Sequence, residues 1–434
     1  MKSVLIISLL LLLKICPNPY GLDDSEFVEF YCNSSCVLSD GESTLFADKG
    51  LHIATKNKTE FYRHFNLIAD LEFPRGFALS NRGEEICLIE NGSRDCFYYG
   101  KDIEFLDEGV IYFRTERSWD FRYEDWSDFK PVSDFVNGRI LISPCNYNVS
   151  GVVASYTFSR IIDGVEELYV DSSPVSIPCQ ELMYKNVHFL KSKSYRCFHY
   201  KFAVNGSKVV VTTENWRFTK KGYIVEFKSK SISKALMNLL KNDLRYETMI
   251  KPSKCEFWKE VRVTEKGKEI EFKANITLYI LPDYNPIFDF ISSAERRLYI
   301  EAPYISFKWY KNESELFKAI EIAKNSGAEV LVVLDSRYKK KSDLNHLNDL
   351  GVKTLFVRGI HGKVVVADNR VLITSANLNL YGLKLNREIA LIIESEKVAD
   401  FIVGNIKKEF NPIFAIPSIA VFAISLLLLL RFRR

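Results

Sequence analysis

The apolar positions of residues 23–115 come in short alternating runs, not at helical spacing. Phe27-Val28-Glu29-Phe30-Tyr31, Leu51-His52-Ile53-Ala54, Glu85-Ile86-Cys87-Leu88-Ile89 and Cys96-Phe97-Tyr98-Tyr99 each read as a strand, with turns at Ser39-Asp40-Gly41 and Asn91-Gly92-Ser93. This spacing predicts a small all-β sandwich of immunoglobulin type over 23–115. Glu116 to Pro131 is aromatic and charged with neither period, so 116–137 reads as a linker.

Beyond the linker the pattern repeats and becomes α/β. Ile140 to Pro144, a possible helix from Gly151 and the strand Leu168 to Asp171 with Pro174 beyond match Leu278 to Pro282, the helical run Ile287 to Ala294 and the strand Leu298 to Glu301 with Pro303 beyond. In the second copy Ser314 caps a helix through Asn325, Gly327 stops it, Val330 to Leu334 is an all-apolar strand, and Leu347 to Val357 repeats the cycle. Alternation of this kind predicts a mixed sheet with helices on its faces. Val170 to His199 is 29 residues where Ile300 to His361 is 61, so the first copy is expected to lack about one βα unit. The expected order is repeat one at 138–260 and repeat two at 270–412, paired as a duplicated module with pseudo-two-fold symmetry.

The two ends carry a different signal. Lys2 followed by the apolar run Ser3 to Leu13 reads as a secretion leader over 1–17, with an uncleaved anchor as the alternative. Ile413 to Leu430 is uncharged and precedes Arg431-Phe432-Arg433-Arg434, the pattern of a transmembrane anchor over 413–430 with a positive cytoplasmic stop. The part between is then expected outside the cytoplasm, at the cell surface. Seven Asn-x-Ser/Thr sequons, at Asn33, Asn57, Asn91, Asn148, Asn205, Asn275 and Asn312, agree with that placement. So do the eight cysteines after Cys16, an even number suited to disulfides; near neighbours are the expected pairs, Cys32 with Cys36, Cys87 with Cys96, Cys145 with Cys179 and Cys197 with Cys255.

Charge divides the chain. Residues 21–130 hold 12 Lys/Arg against 23 Asp/Glu, whereas 131–430 hold 42 against 32, so the second part is the one suited to a polyanion.

The chemistry lies in a gapless match between HYKFAVNGSKVVVTTENW from His199 and HGKVVVADNRVLITSANL from His361. Lys201 and Lys363 follow their histidines by two, Asn215 and Asn377 by sixteen, and Glu226 and Glu388 lie eleven beyond each Asn. Anionic phosphodiesters need cationic and amide donors to hold their oxygens, and paired imidazoles can serve as nucleophile and acid. No metal-ligating cluster accompanies these residues, and no cofactor is implied.

These motifs resemble the phospholipase D superfamily, whose pattern is His-x-Lys-x4-Asp followed by Gly-Ser-x-Asn; the chain is similar to secreted phospholipase D-like proteins of archaeal type. The resemblance covers about 138–412. It implies His199 and His361 as nucleophile and general acid, and Lys201, Lys363, Asn215 and Asn377 as the phosphate cradle. It also implies Thr213 and Ser375 as the motif hydroxyls, Glu226 and Glu388 as the carboxylates orienting each imidazole, and Asp368 as the motif aspartate. The first copy has Gly206 at the aspartate position, and Thr212 and Thr374 stand at the motif glycine. The runs DSEFVEFYCNSSCVLSDG, GLHIATKNKTEFYRHF and ALSNRGEEICLIENGSRDCFYYG resemble a lamin-tail domain.

The functional expectation is metal-independent phosphodiester hydrolysis by a monomeric catalytic unit, with nucleic acid favoured over phospholipid. A phospholipase or phosphatidyltransferase and an inactive phosphate-binding protein are the alternatives. Trp216 reads either as a base-stacking ring or as core, and Lys339-Lys340-Lys341 either as a polyanion contact or as a solvated loop.

Overall fold

The computed structural model describes residues 10–21, 23–115, 118–174, 177–249, 254–259, 263–309 and 314–408. These form two compact units, the first ending at Ser127 and the second comprising Asp128–Lys308 and Ser314 onward.

The strands of the first unit are β1 (Leu11–Asn18), β2 (Phe27–Cys32), β3 (Cys36–Ser39), β4 (Thr44–Ala47), β5 (Gly50–Thr55), β6 (Leu71–Glu72), β7 (Glu84–Glu90), β8 (Ser93–Tyr99), β9 (Val110–Arg114) and β10 (Trp119–Tyr123). They make a six-stranded sheet, β10-β9-β1-β2-β5-β6, and a four-stranded sheet, β4-β3-β7-β8. The four strands expected from alternation are present as β2, β5, β7 and β8. Asn91 and Gly92 form the two-residue turn between β7 and β8, with φ of 49° and 82°; both must be left-handed there, which Asn tolerates and Gly accepts without strain. The helix α1 (Lys58–Phe65) starts where the Asn57 side chain accepts from the Thr59 and Glu60 amides, and packs Phe61 and Phe65 against Phe27 at 5.2 and 5.1 Å.

Two expected boundaries move. Leu11–Asn18, assigned from sequence to a leader ending at Pro17, is an inner strand hydrogen-bonded to both β2 and β9, with Leu12, Ile15 and Cys16 fully buried. A cut after Pro17 would remove the middle of that sheet, so the folded unit begins by Leu11; residues 1–9 lie outside the described residues. The expected linker 116–137 is mostly strand. Trp119–Tyr123 is β10, and Val132 opens the first strand of the second unit.

That unit holds β11 (Val132–Ile142), β12 (Gly151–Ser155), β13 (Val165–Asp171), β14 (Val187–Leu190), β15 (Phe202–Asn205), β16 (Lys208–Thr212) and β17 (Tyr223–Lys228) in its first half. The second half holds β18 (Lys268–Leu281), β19 (Arg297–Ala302), β20 (Glu329–Asp335), β21 (Lys353–Val357), β22 (Val364–Ala367), β23 (Arg370–Thr374) and β24 (Glu388–Glu394). Outward from the antiparallel β11·β18 pair the order runs β17-β16-β15-β12-β13-β14 on one side and β24-β23-β22-β19-β20-β21 on the other. The outer two pairings are parallel on both sides, and the others antiparallel. Helices α2 (Lys230–Asp243), α3 (Ile287–Ser292), α4 (Glu315–Asn325), α5 (Leu344–Asp349) and α6 (Glu396–Lys408) complete the unit. As expected, Ser314 caps α4 by accepting from the Phe317 amide.

The strand order corrects the internal match. Gly151 opens a strand, not a helix, and β12 corresponds to β19 while Leu168 to Asp171 belongs to β13, the counterpart of β20. The first half therefore lacks no strand. What it lacks, among the described residues, is helix: Ser155 to Val165 is a short connection where Ala302 to Glu329 carries α4.

The disulfides are Cys32–Cys36, Cys87–Cys96 and Cys179–Cys255. The last replaces the two expected pairs Cys145–Cys179 and Cys197–Cys255. A bridge between Pro178 and Glu256 sets residues 179 and 255 side by side, whereas Cys145 is buried in a core with Leu141, Tyr147 and Phe218 and Cys197 lies beside the histidine turn. No helix among the described residues is long and apolar enough to cross a membrane, and the expected anchor 413–430 lies outside them.

Candidate active site

Each His-x-Lys turn leads into the strand of a hairpin, His199 and Lys201 into β15 and His361 and Lys363 into β22. The turns are pinned crosswise. His199 N donates to the Arg387 carbonyl at 2.8 Å and Arg387 N to the Cys197 carbonyl at 2.9 Å, while His361 N donates to the Lys221 carbonyl at 2.8 Å and Lys221 N to the Gly359 carbonyl at 2.9 Å. Each half thus holds the histidine of the other, which brings both turns to one place in one chain. Asp171 and Asp335, at the ends of the matched strands β13 and β20, tie the same segments down by accepting from the Phe198 and Gly359 amides.

Within the site His199 Nδ1 lies 2.8 and 3.0 Å from the two Glu388 oxygens. Glu388 also accepts from the Ser375 hydroxyl and from Asn386 Nδ2. Lys201 Nζ donates to the His199 carbonyl at 2.6 Å, and Lys363 Nζ to the carbonyls of His361 and Thr213 at 3.0 and 3.2 Å. His361 Nδ1 lies 3.1 Å from the Thr213 carbonyl. A carbonyl only accepts, so Nδ1 carries the proton and leaves Nε2 with a lone pair. Asn215 Oδ1 is buried without a hydrogen-bond partner among the described residues.

Electrostatics favour proton loss from both histidines and both lysines. Burial pushes His199 down to about 4 against the pull of Glu388, and burial together with Lys363, Lys220, Lys201 and His199 holds His361 well below its usual range. Lys201 falls to about 8 and Lys363 to about 7 through burial, Lys363 being lowered further by Lys201. Glu388 stays below its usual value because His199, Lys201 and Ser375 outweigh its burial. A phosphate anion among these groups would restore their protons by direct charge attraction.

Several sequence-predicted residues stand elsewhere. Glu226 does not orient His361; it binds Arg139 and Lys208 at 3.2 and 3.1 Å and the Tyr147 hydroxyl, on the far part of β17. The reason is register. Thr212 pairs with Ile224 and Thr374 with Ala390, so the counterpart of Glu388 is Gly222, and the first half reaches it ten residues after Thr212 where the second takes fourteen. The equal Asn-to-Glu spacing was a coincidence of that shorter loop. Asp368 lies in the β22–β23 turn at φ 54°, its carboxylate accepting from the Glu295, Arg296 and Arg297 amides, and Gly206 fills the matching turn at φ 59°. Their difference therefore belongs to the scaffold. Thr213 and Ser375 are buried in framework bonds to the Tyr223 and Ile389 amides. Trp216 is fully buried and donates to the Ala154 carbonyl, which makes it core. The ammoniums of Lys339 and Lys341 sit over the rings of Phe356 and Tyr338.

Sequence reading missed Arg387 and Glu214. Arg387 is fully buried between Asp283 at 2.6 Å and Asp243 at 3.3 Å, directly behind Glu388; its adjacency to Glu388 in NREIA was the only sequence signal. Glu214 is buried beside Asn215, where the second copy has Ala376. Metal-ligating types group, among the described residues, only at Glu85, Cys87 and Cys96, and both of those sulfurs are taken by one disulfide.

Residues 287–413 match the family described as cardiolipin synthase, PLD-like domain. That stretch is similar to phospholipase D-like domains. It contains the second His-x-Lys turn, Ser375, Asn377 and Glu388, while the first-half residues of the site lie before it. Among solved structures the chain is similar to Nuc from Salmonella typhimurium, described as a phospholipase D family member, at 20% identity over 31% of this chain and 93% of that one, with a TM-score of 0.28. It is also similar to phosphatidylserine synthase from Haemophilus influenzae at 14% identity over 61% and 81%, TM-score 0.43, and to NucT from Helicobacter pylori at 19% identity over 31% and 93%, TM-score 0.27. No curated relative matches the chain.

Proposed function

We propose that this chain is a phosphodiesterase of the phospholipase D type whose two halves, a duplicated module, build one active site without a second subunit. The observation that carries the reading is the crosswise pinning of His199 and His361 into one buried site with Lys201, Lys363 and Glu388. In the reaction, Nε2 of His199 attacks phosphorus, the P–O bond to the leaving group breaks, and His361 delivers a proton to the departing oxygen. Water then attacks the phosphohistidine, gives its proton to His361, and releases the phosphate monoester. His199 is the attacking group because attack leaves its imidazole positive, and Glu388 is placed to stabilise that charge. His361, whose Nδ1 faces the Thr213 carbonyl and, among the described residues, no carboxylate, binds its proton more weakly and is the stronger acid. Lys201, Lys363, Asn215 and Asn377 hold the phosphoryl oxygens.

The substrate we favour is nucleic acid. Residues 131–430 carry 42 Lys/Arg against 32 Asp/Glu, and a groove of about 730 Å³ presents Arg139, Lys208, Lys228, Lys273 and Lys397 with Glu226 and Glu271. A phospholipid substrate is the second reading, favoured by the apolar segment 413–430 with Arg431-Phe432-Arg433-Arg434 after it, which as an anchor would hold the site near lipid at the outer cell surface. The test is hydrolysis of DNA, RNA and phospholipid vesicles by the purified protein in EDTA. Cleavage of DNA or RNA in preference to vesicles supports the first reading, the reverse supports the second, and phosphate binding without any hydrolysis leaves a phosphate-binding protein.

A further inference from the structure

The two half-sites are unequal at one position. Glu388 serves His199 from the first residue of β24, but its counterpart ahead of β17 is Gly222, which offers no side chain. That space is not empty. A Cβ at Gly222 would meet Glu214 Cγ at 2.8 Å, Glu214 Oε1 at 3.0 Å and Thr213 Oγ1 at 2.9 Å, so a carboxyl group from the neighbouring strand end fills the place that position 222 leaves. Thr213 matches Ser375, whose hydroxyl contacts Glu388 in the other half, so a carboxyl stands near the motif hydroxyl position in both halves, supplied here by residue 214, while His361 Nδ1 meets the Thr213 carbonyl where His199 Nδ1 meets Glu388. Glu214 is fixed by the Ser143 hydroxyl at 3.1 Å, and it follows Thr213, whose carbonyl receives both His361 Nδ1 and Lys363 Nζ.

We propose that Glu214 is the carboxyl group of the second half-site, a positioning residue that holds the Lys363 ammonium and the His361 turn in place of the missing side chain at position 222. The charged and titratable groups facing it are Lys363 from the second half, Lys220 from its own loop and Cys145 beyond β11. Burial raises Glu214 to about 7, against the pull of Ser143, Lys363 and Lys220, and Glu214 in turn supports the charge of Lys363. Such a carboxyl group lets Lys363 keep its charge when it is deprotonated and weakens that hold as it takes up a proton. Half-site two is thereby tuned through its lysine, whereas half-site one is tuned through its histidine.

This rests on the phosphodiesterase reading, and relocation of the carboxylate tests it. Glu214→Ala, Glu214→Gln and the double variant Glu214→Ala with Gly222→Glu are compared with the parent on bis(p-nitrophenyl) phosphate across pH, and for affinity toward inorganic phosphate. Glu214→Ala should lower kcat/KM about tenfold and move its alkaline limb down by about one pH unit, since Lys363 loses a neighbouring negative charge. The double variant should recover most of both. If Glu214→Ala unfolds, Glu214→Gln keeps the shape, and its limb alone decides. If the parent does not cleave the diester, the functional reading fails, and the limb for phosphate affinity tests Glu214 separately. An unmoved limb in Glu214→Gln, or a folded double variant no better than Glu214→Ala, overturns the proposal.

Discussion

Glu388 and His199 are 189 residues apart in sequence and 2.8 Å apart in space. The contact joins the last strand of one half to the His-x-Lys turn of the other, so the carboxylate beside His199 comes from the opposite half. Changing the two histidines should therefore give different defects. His199→Asn should remove the covalent intermediate and lower kcat by at least about 10²–10⁴-fold, the scale of a lost acid–base group. His361→Asn should lose a similar amount on poor leaving groups and much less on activated ones, which need no proton. Rapid quench with a labelled diester would separate the two, and rates equal to the parent in either variant would remove the mechanism.

The fold was legible where periodicity was unambiguous, as in the hairpin at Asn91-Gly92, the capped helix after Ser314 and the apolar strand β20. His199, His361 and both lysines were legible because their spacing is fixed by a turn and one strand, which tolerate no insertion. Glu226 misled because the loop between β16 and β17 is free to change length, and a spacing carried across it has no physical meaning. The strand Leu11–Asn18 was hidden for another reason: an inner strand that opens on an apolar run has the same local composition as a leader. Glu214 and Arg387 act through burial and partners distant in sequence, which no local pattern reports.

On an activated diester, whose leaving group needs no proton from His361, the alkaline limb of kcat/KM should be set by the phosphate cradle. Lys363 at about 7 and Lys201 at about 8 are lowered mainly by burial, so the free protein loses cationic charge as pH rises through this range. The limb should fall above about pH 7 in kcat/KM, which reports the free protein. In kcat it should lie higher, because a bound phosphate anion favours both ammoniums. Coincident limbs in a pH series would contradict the placement of these lysines against phosphate.

Arg387 should be a stability residue before it is a functional one. Its guanidinium is buried between Asp243 and Asp283, and Arg387→Ala strands two buried carboxylates, for a loss of about 3–5 kcal/mol. Denaturant unfolding would check it. Arg387→Lys should recover only part, since an ammonium cannot present the planar fork that reaches both partners.

The groove bearing Glu226 offers the sharpest test of substrate class. Its cations lie toward the ends of β16, β17 and β24 remote from the histidines: β17 begins at Tyr223 beside Gly222 and ends at Lys228, and β24 begins at Glu388 and is followed by Ser395 and Lys397. A small diester should occupy the site without touching them, whereas a nucleic acid long enough to span five or six strand residues, roughly 20 Å, should reach both. Lys208→Glu with Lys228→Glu should therefore leave hydrolysis of bis(p-nitrophenyl) phosphate within about twofold, weaken binding of a long oligonucleotide and reduce its salt slope by about one for each phosphate that is no longer neutralised. Glu226→Gln should act in the opposite direction by releasing Arg139 and Lys208 from their shared carboxylate. Unchanged oligonucleotide affinity in both variants would detach the groove from the substrate, and would leave lipid as the better candidate for the site.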